Sequence, residues 1–336
     1  MSLSPRPCAL RPEGGVLLVI PTLNEARHIE RCVRSLLTRP ETGRDLRAVV
    51  VDGGSEDATR DIVMGLMAEF PALGWLDNPA RLQSAGINLA VRRCARPQDE
   101  ILIRCDAHSV YPEGYIGALI ESMERSGASA VTVVMDAAGS NGFQRAAAWI
   151  AGTLLGNGGS AHRGSTVSRF VDHGHHAAMR LDAFRSVGGY DADFSHNEDA
   201  ELDLRLTRAG HKIWLEAGLR ITYIMRPDLA ALARQYWRYG RGRARTLLKH
   251  RVRPRLRQIA PVLNALALVA ALISALQVPQ AALLLVAYGL LLLGASLVGM
   301  RRLRAPCGLW AGPAVAAMHM AWAGGFLRQI LTGRAA

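Results

Sequence analysis

Two short apolar runs near the start of the chain are typical of buried parallel strands. Residues 16–20 and 48–51 are rich in β-branched side chains, and polar residues follow each run. Between the two runs, residues 26–37 place apolar side chains on one face of a helix, namely Ile29, Val33, Leu36 and Leu37. This pattern predicts a βαβ unit. In an open α/β sheet, ligands bind at the carboxyl ends of such strands.

The segments after these strands carry side chains that a bound nucleotide would need. They supply Pro21, Thr22, Asn24 and Glu25 after the first strand, and Asp52 and Gly54 after the second. A carboxylate such as Asp52 accepts hydrogen bonds from a ribose hydroxyl or a base N–H, and glycine lets the backbone approach a ligand closely. Alternatively, residues 52–54 form only a turn and Ser55 caps a helix. Similar residues follow both strands, which favours a nucleotide site, although neither a Walker loop nor a GxGxxG fingerprint occurs in the sequence.

Two further strands are predicted at residues 100–104 and 131–135. Asp106 and His108 follow the first of these. Two residues apart on an extended segment, they would project to the same side and could hold a divalent ion, manganese or magnesium. His108 could instead be a loop histidine bonded to backbone. Ahead of this strand, residues 80–91 have the apolar spacing of a helix that starts near Arg81.

An acidic pair marks the start of another helix. Leu202 and Leu206 have helical spacing, which places Glu198 and Asp199 in the first turn. The helix dipole stabilises carboxylates there, so capping alone would explain both residues. A positioned carboxylate can also act as a general base, which contributes on the order of 10²–10⁴ to a rate. The residues by themselves leave both interpretations open.

The positive charge is concentrated in one segment that precedes a long apolar run. Residues 226–257 contain eleven Lys or Arg and one acidic residue, although the whole chain carries a net charge of only +12. Residues 258–300 contain no Asp, Glu, Lys or Arg. A bilayer core takes about 20 helical residues, so this run fits two spans, 259–278 and 280–300, whose basic outer ends would lie in the cytosol. A soluble core hairpin is the less favoured alternative. A third run, 305–327, either spans the bilayer or lies in its interface.

The remaining composition indicates a folded protein of a reducing compartment. Hydrophobic residues make up 50% of the chain and charged residues 20%. The cysteines show no CxxC spacing and are interpreted as reduced structural thiols, at Cys8, Cys32, Cys94, Cys105 and Cys307. The first residues lack the apolar core of a signal peptide, so the catalytic part is expected to face the cytosol. A nucleic-acid binder would spread basic residues over a folded face with interleaved aromatics, and we expect no such partner.

The stretch IPTLNEARHIERCVRSLL, followed by VVVDGGSEDAT, resembles the start of a family 2 glycosyltransferase of the GT-A fold. The family usually has Asp-x-Asp where this chain has Asp-Ala-His at 106–108, a departure shared by transferases similar to the succinoglycan type. The segment 235–239 is similar to the family's QxxRW element, with Tyr239 in place of Trp. The resemblance covers roughly residues 16–245.

The resemblance implies a role for each residue named above. The nucleotide sugar would be bound by Pro21, Thr22, Asn24, Glu25, Asp52, Gly54, Arg81 and Asp106. Asp106 and His108 would hold the divalent metal, and Asp199 would be the catalytic base. The acceptor or the diphosphate would be contacted by Glu198, Gln235, Arg238 and Tyr239. Arg81 could instead be a solvated side chain, and the helix around 235–239 could instead lie at the membrane surface.

We therefore expect a GT-A α/β transferase domain at residues 1–225, a basic amphipathic interfacial segment at 226–257 and membrane helices at 258–328. The expected reaction is inverting transfer of a hexose from a UDP-linked donor to a hydroxyl of a lipid-linked glycan, in exopolysaccharide synthesis at the cytoplasmic membrane. One alternative is a polyprenyl-phosphate sugar synthase, in which arginines near Arg238 bind the acceptor phosphate. Another is a non-catalytic membrane adaptor that binds nucleotide sugars.

Overall fold

The computed structural model describes residues 10–11, 14–40 and 42–333, so Cys8 lies outside the described residues. The chain forms two compact units. The first contains the residues up to Met135 together with Gly164–Thr222, and the second contains Asp136–Arg163 together with the residues from Tyr223 onward. The division expected from sequence differs from this one, because residues 136–163 join the C-terminal unit.

Eight strands are found within the described residues. They are β1 Gly15–Thr22, β2 Leu46–Asp52, β3 Leu73–Asp77, β4 Asp99–Arg104, β5 Ala130–Ala138, β6 Arg169–Val171, β7 His175–Arg180 and β8 Ile213–Ile224. They form one mixed sheet in the order β3-β2-β1-β4-β7-β5-β8-β6. β1 pairs in parallel with β2 and β4, and β2 pairs in parallel with β3. β7 is antiparallel to β4 and β5, and β6 is antiparallel to β8. The predicted βαβ unit and the strands after it are confirmed.

The helices of the described residues alternate with these strands and then follow them. They are α1 Ile29–Leu37, α2 Thr59–Glu69, α3 Gln83–Cys94, α4 Tyr115–Ser126, α5 Gly142–Ala151, α6 Leu154–Asn157, α7 Leu181–Ser186, α8 Glu198–Arg208, α9 Leu229–His250, α10 Leu256–Ser274, α11 Ala282–Leu303 and α12 Ala311–Thr332. Single 3₁₀ turns, Pro279–Ala281 and Pro306–Trp310, precede α11 and α12.

The core of the first unit follows from the apolar pattern. The central strand β1 has no polar residue from Val16 to Ile20, and all five side chains are at most 1% exposed. A strand buried on both faces has this continuous apolar composition. The predicted helical face of α1 is also buried, through Ile29, Val33, Leu36 and Leu37.

Three local predictions were wrong, each because of a turn. Residues 26–28 form a turn, so α1 begins only at Ile29. Arg81 has φ 58°, a left-handed conformation that an α-helix excludes, so α3 begins at Gln83 and not near residue 80. Ala107 and His108 also form a turn. The expectation that Asp106 and His108 project to the same side of an extended segment therefore fails.

Two helices of the second unit are long and apolar enough to cross a membrane, judged over the described residues by length and composition. They are Leu256–Ser274 and Pro279–Leu303, in good agreement with the predicted spans. Most of their large apolar side chains are exposed, including Leu256 at 76% and Ile273 at 74%. Such a continuous apolar surface marks contact with a membrane or with another protein.

The third apolar run forms α12, which packs closely against α9 in the same unit. A Cβ atom at Gly325 would lie 2.1 Å from the carbonyl oxygen of Trp237, and one at Gly240 would lie 2.2 Å from that of Trp322. Val315 and Met318 on α12 are fully buried within the unit. Glycine thus lets the two helix backbones approach closely.

Replacing Gly325 by leucine should destabilise the second unit, because the added side chain collides with the backbone at Trp237. Overpacking of this kind costs about 1–3 kcal/mol. The expected result is a lower melting temperature of the detergent-solubilised protein, measured by intrinsic fluorescence. Gly289→Leu on α11 is the control, because no atom lies within 4 Å of that Cβ position. Equal melting temperatures for the two variants would contradict the proposed packing.

Candidate active site

The loops that follow β1 and β2 are held together by hydrogen bonds. The backbone N–H of Asn24 donates to the Ser55 hydroxyl at 2.8 Å, and the N–H of Glu56 donates to the Asn24 side chain at 2.9 Å. The N–H of Glu25 donates to the Thr59 hydroxyl at 2.8 Å. These bonds bring the predicted nucleotide-binding residues Pro21, Thr22, Asn24 and Glu25 beside Asp52 and Gly54.

The carboxylate of Asp52 is buried and binds its own loop. Oδ2 accepts the N–H groups of Gly54 at 2.9 Å and Ser55 at 2.8 Å. Oδ1 accepts the hydroxyls of Ser55 at 2.5 Å and Thr22 at 3.3 Å. The turn considered as the simpler alternative is therefore present. In this structure Asp52 shapes the loop whose backbone a nucleoside would meet.

Arg81 covers the same loop. Its Nε donates to the carbonyl oxygen of Gly53 at 3.0 Å, and its Nη2 donates to that of Gly54 at 3.2 Å. The side chain is 59% exposed, so the guanidinium remains accessible to a ligand. Arg81 thus lies beside the predicted nucleotide loops.

A second group of side chains gathers around Arg104, the last residue of β4. Its guanidinium is buried and donates to Oδ1 of Asp199, to Oδ1 of Asp106 at 3.3 Å and to the hydroxyl of Tyr190 at 3.3 Å. The Tyr190 hydroxyl also donates to Asp199 Oδ1 at 3.0 Å. Two carboxylates from distant parts of the sequence, Asp106 and Asp199, are thereby fixed by one cation.

A glycine turn positions Tyr190. Gly189 has φ 74°, and a Cβ atom there would lie 2.5 Å from Oδ1 of Asn88. Asn88 accepts from the Tyr190 N–H at 2.9 Å and donates to the Tyr190 carbonyl oxygen at 2.6 Å. Helix α3 therefore fixes the backbone of Tyr190 so that its ring reaches Asp199.

His175, the first residue of β7, lies between the same two carboxylates. Its Nε2 is 3.5 Å from Oδ2 of Asp106, and its Nδ1 is 3.9 Å from Oδ2 of Asp199. Two residues earlier, Nδ1 of His173 lies 2.6 Å from Oδ2 of Asp203. Asp203 is one helical turn after Asp199 on α8. The segment that leads into β7 thus holds the face of α8 that carries Asp199.

The electrostatic environment shifts the pKa values of two acidic residues in opposite directions. Burial raises the pKa of Asp106, but the positive charge of Arg104 and the smaller effect of the two neighbouring histidines when protonated outweigh it, so the pKa lies below its ordinary value. Burial and the neighbouring charge of Asp199 raise the pKa of Glu198 to about 7. Asp106 is therefore a stable carboxylate, whereas Glu198 titrates near neutrality.

The donor atoms around Asp106 fit a divalent ion that takes its other ligands from a diphosphate. Carboxylate oxygen and imidazole nitrogen both suit manganese, and ions of this class are commonly bound by one or two protein groups plus phosphate oxygens. No cluster of three or more His, Cys, Asp or Glu with metal-binding geometry occurs among the described residues. His108 has its Nδ1 at 3.0 Å from Oε1 of Glu25, so its Nε2 is the atom through which it would bind an ion.

The remaining candidates, Gln235, Arg238 and Tyr239, lie on α9 in the second unit. Gln235 donates to the hydroxyl oxygens of Tyr239, at 2.9 Å, and Tyr223. Burial raises the pKa of the Tyr239 phenol above its ordinary value. Arg238 is exposed on the same helix. Their contact with an acceptor stays a prediction.

Arg104, Tyr190 and His175 were not among the predicted site residues. A charged residue that ends the apolar strand EILIR is one signal for Arg104, since a buried arginine requires carboxylate partners. The sequence Gly188-Gly189-Tyr190 indicates the turn but not the target of the phenol. His175 gives no signal at all, because its role depends on the pairing of β7 with β4.

The mixed sheet, with carboxylates gathered at the ends of β2 and β4, defines a GT-A-like α/β fold. A solved structure with this fold is the mannosyltransferase PcManGT from Pyrobaculum calidifontis, in complex with GDP-Man and Mn²⁺. It matches 99% of this chain and 92% of its own length with a TM-score of 0.61 at 18% identity. The predicted fold is confirmed.

The chain belongs to glycosyl transferase family 2, which it matches over residues 17–188. It is 44% identical to the succinoglycan biosynthesis protein ExoA of Rhizobium meliloti (strain 1021), over 95% of this chain and 96% of that protein. It is 22% identical, over 67% of this chain and 71% of the other, to a dolichyl N-acetyl-alpha-D-glucosaminyl phosphate 3-beta-D-2,3-diacetamido-2,3-dideoxy-beta-D-glucuronosyltransferase of Methanococcus voltae. The resemblance found in the sequence is thus confirmed, and the protein is a glycosyltransferase.

Replacing Glu198 by glutamine should reduce the dependence of stability on pH. The pKa of Glu198 is about 7 in the folded protein against an ordinary value of 4.5. The folded state thus keeps a proton that the unfolded chain loses, so this stabilisation is full at low pH and is lost as the pH rises through about 7. Melting temperatures of metal-free protein should therefore fall less for the variant than for the wild type between about pH 5 and about pH 8.

Glu56→Gln is the control for this measurement, because the Glu56 side chain is 85% exposed. Its melting temperatures should follow those of the wild type at every pH. Parallel curves for the wild type and Glu198→Gln would show that the Glu198 carboxyl has no raised pKa.

Proposed function

We propose that this protein is an inverting hexosyltransferase of exopolysaccharide synthesis. It transfers a hexose from a UDP-linked donor to a hydroxyl group of a lipid-linked glycan at the cytoplasmic membrane. The name of the Rhizobium relative supports the process, since that protein acts in succinoglycan biosynthesis. The name of the Methanococcus relative supports the acceptor, since it contains a sugar linked to a lipid phosphate.

The arrangement around Arg104 carries the proposal. Direct displacement at an anomeric carbon needs a carboxylate base for the acceptor hydroxyl and stabilisation of the departing diphosphate. Arg104 fixes Asp199, the proposed base, beside Asp106, at the carboxyl end of β4. This grouping supports the proposal, with Asp199 as the base and Asp106 as a ligand of the ion that would stabilise the diphosphate.

Asp199 removes the proton of the acceptor. The bonds from Arg104 and Tyr190 to Oδ1 hold in place the carboxylate that we assign to the acceptor proton. The acceptor oxygen forms a bond to the anomeric carbon as the bond from that carbon to the diphosphate oxygen breaks. UDP leaves with the electron pair, and the single displacement inverts the anomeric configuration.

The donor is bound at the loops that follow β1 and β2, which hydrogen bonds hold together. Pro21, Thr22, Asn24, Glu25, Asp52 and Gly54 surround the uridine, and Arg81 approaches the base or the diphosphate. Asp106 and an imidazole would hold a divalent ion, Mn²⁺ or Mg²⁺, which would offset the negative charge of the diphosphate. Fixed donors and carboxylates of this kind act without reorganisation during the reaction.

The acceptor side combines polar and aromatic groups. We assign Glu198, Gln235, Arg238 and Tyr239 to the acceptor or the diphosphate, because aromatic faces stack on sugar rings and guanidinium forks bind phosphate. The exposed apolar helices α10 and α11 anchor the protein in the membrane that holds the lipid-linked acceptor. The basic segment before α10 adds attraction to anionic headgroups, about 1 kcal/mol per residue that reaches the surface.

Replacing Asp199 by asparagine should lower transfer by about 10²–10⁴, because the amide cannot accept the acceptor proton. Binding of UDP should change little, since the loops at Asp52 are untouched. The assay incubates UDP- and GDP-sugars with native membranes and identifies the lipid-linked product by mass spectrometry. Asp61→Asn, at an exposed position on α2, is the matched control and should retain full transfer.

Two results of this assay would contradict the proposal. Unchanged product formation by Asp199→Asn would remove Asp199 as the base. A product in which the sugar is joined directly to a lipid phosphate, and not to a hydroxyl, would identify the enzyme as a polyprenyl-phosphate sugar synthase.

The proposed topology places the turn between α10 and α11 on the far side of the membrane and both basic ends in the cytosol. In a cysteine-free background, Gln277→Cys should react with an impermeant maleimide added outside intact cells. Arg302→Cys should react only after permeabilisation. Labelling of both positions, or of neither, in intact cells would show that the two helices do not form a hairpin of this orientation.

A further inference from the structure

The structure points to a ligand for the cation that the sequence motif does not contain. We propose that Nε2 of His175 and Oδ2 of Asp106 together bind the divalent ion that neutralises the diphosphate. His175 then takes the place of the second carboxylate of the usual family motif, and also the place expected for His108. This inference rests on the proposed function, because the ion in question is the one that would neutralise the diphosphate of the sugar donor.

The pairing of β4 with β7 brings the two residues together. Ile101 lies opposite Arg180 and Ile103 lies opposite Ala178. Asp106 follows the end of β4 by two residues, and His175 is the first residue of β7. Because the two strands are antiparallel, the end of β4 and the start of β7 lie at the same edge of the sheet. The pairing therefore brings both donors to one edge, where their side chains meet.

The separation of the two donor atoms fits a shared ion. Nε2 of His175 and Oδ2 of Asp106 are 3.5 Å apart. A charge-assisted hydrogen bond would bring such atoms to about 2.7–2.9 Å. Two ligands that each lie about 2.1 Å from one ion are roughly 3.0–3.4 Å apart when they subtend an angle of about 90–110°. Only a small adjustment would therefore admit an ion between them.

The other ring nitrogen indicates how the imidazole is oriented. Nδ1 of His175 faces Oδ2 of Asp199 at 3.9 Å. A neutral imidazole has one N–H, and an N–H on that side leaves the lone pair of Nε2 facing the carboxylate of Asp106. A cation between Nε2 and Oδ2 converts this repulsion into attraction. Histidines that bind metals usually donate their second N–H to a carboxylate, a carbonyl oxygen or water, and the Asp199 carboxylate lies on that side of the ring, beyond direct hydrogen-bond distance.

His108 is less suited to the same role. Its Nδ1 is engaged by Glu25, it lies in a turn, and its side chain is 52% exposed. The His175 side chain is only 13% exposed and begins a paired strand. Metal sites need ligands whose side chains are held in place by their surroundings. His175 meets this condition, and it also connects the ion to Asp199.

The test measures metal binding by the full-length protein in detergent with UDP present. Mn²⁺ is titrated and followed by electron paramagnetic resonance, with the modulation from coordinated nitrogen as a second readout. His175→Gln should weaken Mn²⁺ binding by at least about tenfold and remove the nitrogen modulation. His175→Asp should recover binding but shift the preference from Mn²⁺ towards Mg²⁺, because carboxylate replaces imidazole.

Two further histidines serve as controls. His173→Gln loses the contact with Asp203 on α8 but keeps His175, so Mn²⁺ affinity should stay within about twofold of the wild type. His108→Gln should also stay within about twofold and keep its nitrogen modulation. Loss of the modulation in His108→Gln, or its persistence in His175→Gln, would overturn the proposal.

Asp106→Asn separates this inference from the proposed function. If Asp106→Asn loses Mn²⁺ and His175→Gln does not, only the role of His175 is overturned. If Asp106→Asn binds Mn²⁺ as tightly as the wild type does, the ion of the proposed function fails and this inference fails with it. Sugar transfer by the same preparations, measured as above, shows whether the glycosyltransferase reaction itself survives.

Discussion

The ion pairs of Arg104 are the interaction on which the site depends. Arg104 ends β4 after three buried apolar residues, and its side chain is only 5% exposed. Removing a charge from water costs several kcal/mol, and this cost is offset only when partners are well placed. Asp199, Asp106 and the Tyr190 hydroxyl are those partners, and they hold the pKa of Arg104 well above its ordinary value despite its burial. The fold around β4 and the positions of these two carboxylates are therefore determined together.

The acidic residues of this site differ in the partners that surround their carboxyl groups. Asp52 binds the N–H and hydroxyl groups of its own loop. Asp106 and Asp199 share the guanidinium of Arg104, and the pKa of Asp106 lies below its ordinary value. At Glu198, burial and the negative charge of Asp199 outweigh the effect of Arg104, so its pKa rises to about 7. Neighbouring carboxyl groups thus acquire different protonation behaviour from their surroundings and not from their own chemistry.

The parts of this structure that could be predicted from the sequence are those that depend on local pattern. The parallel strands, the buried face of α1 and the start of α8 at Glu198 each follow from apolar spacing over a few residues. The positions of Arg81 and His108 could not be predicted in the same way, because each depends on a turn that the spacing does not reveal. The sequence places Asp106 and Asp199 far apart along the chain, and only the resemblance to a family connected them. Nothing local indicates that Arg104 joins them.

The boundary between the parallel and antiparallel parts of the sheet explains why the site lies where it does. β4 pairs in parallel with β1 on one side and antiparallel with β7 on the other. The parallel side brings the end of β4 level with the nucleotide loops, and the antiparallel side brings the start of β7 to the same edge. A wholly parallel sheet would place the start of a neighbouring strand at the opposite edge. A slip of one residue between β4 and β7 would turn the paired side chains to the other face. The antiparallel direction of β7 is therefore as necessary for bringing His175 beside Asp106 as the side chains themselves.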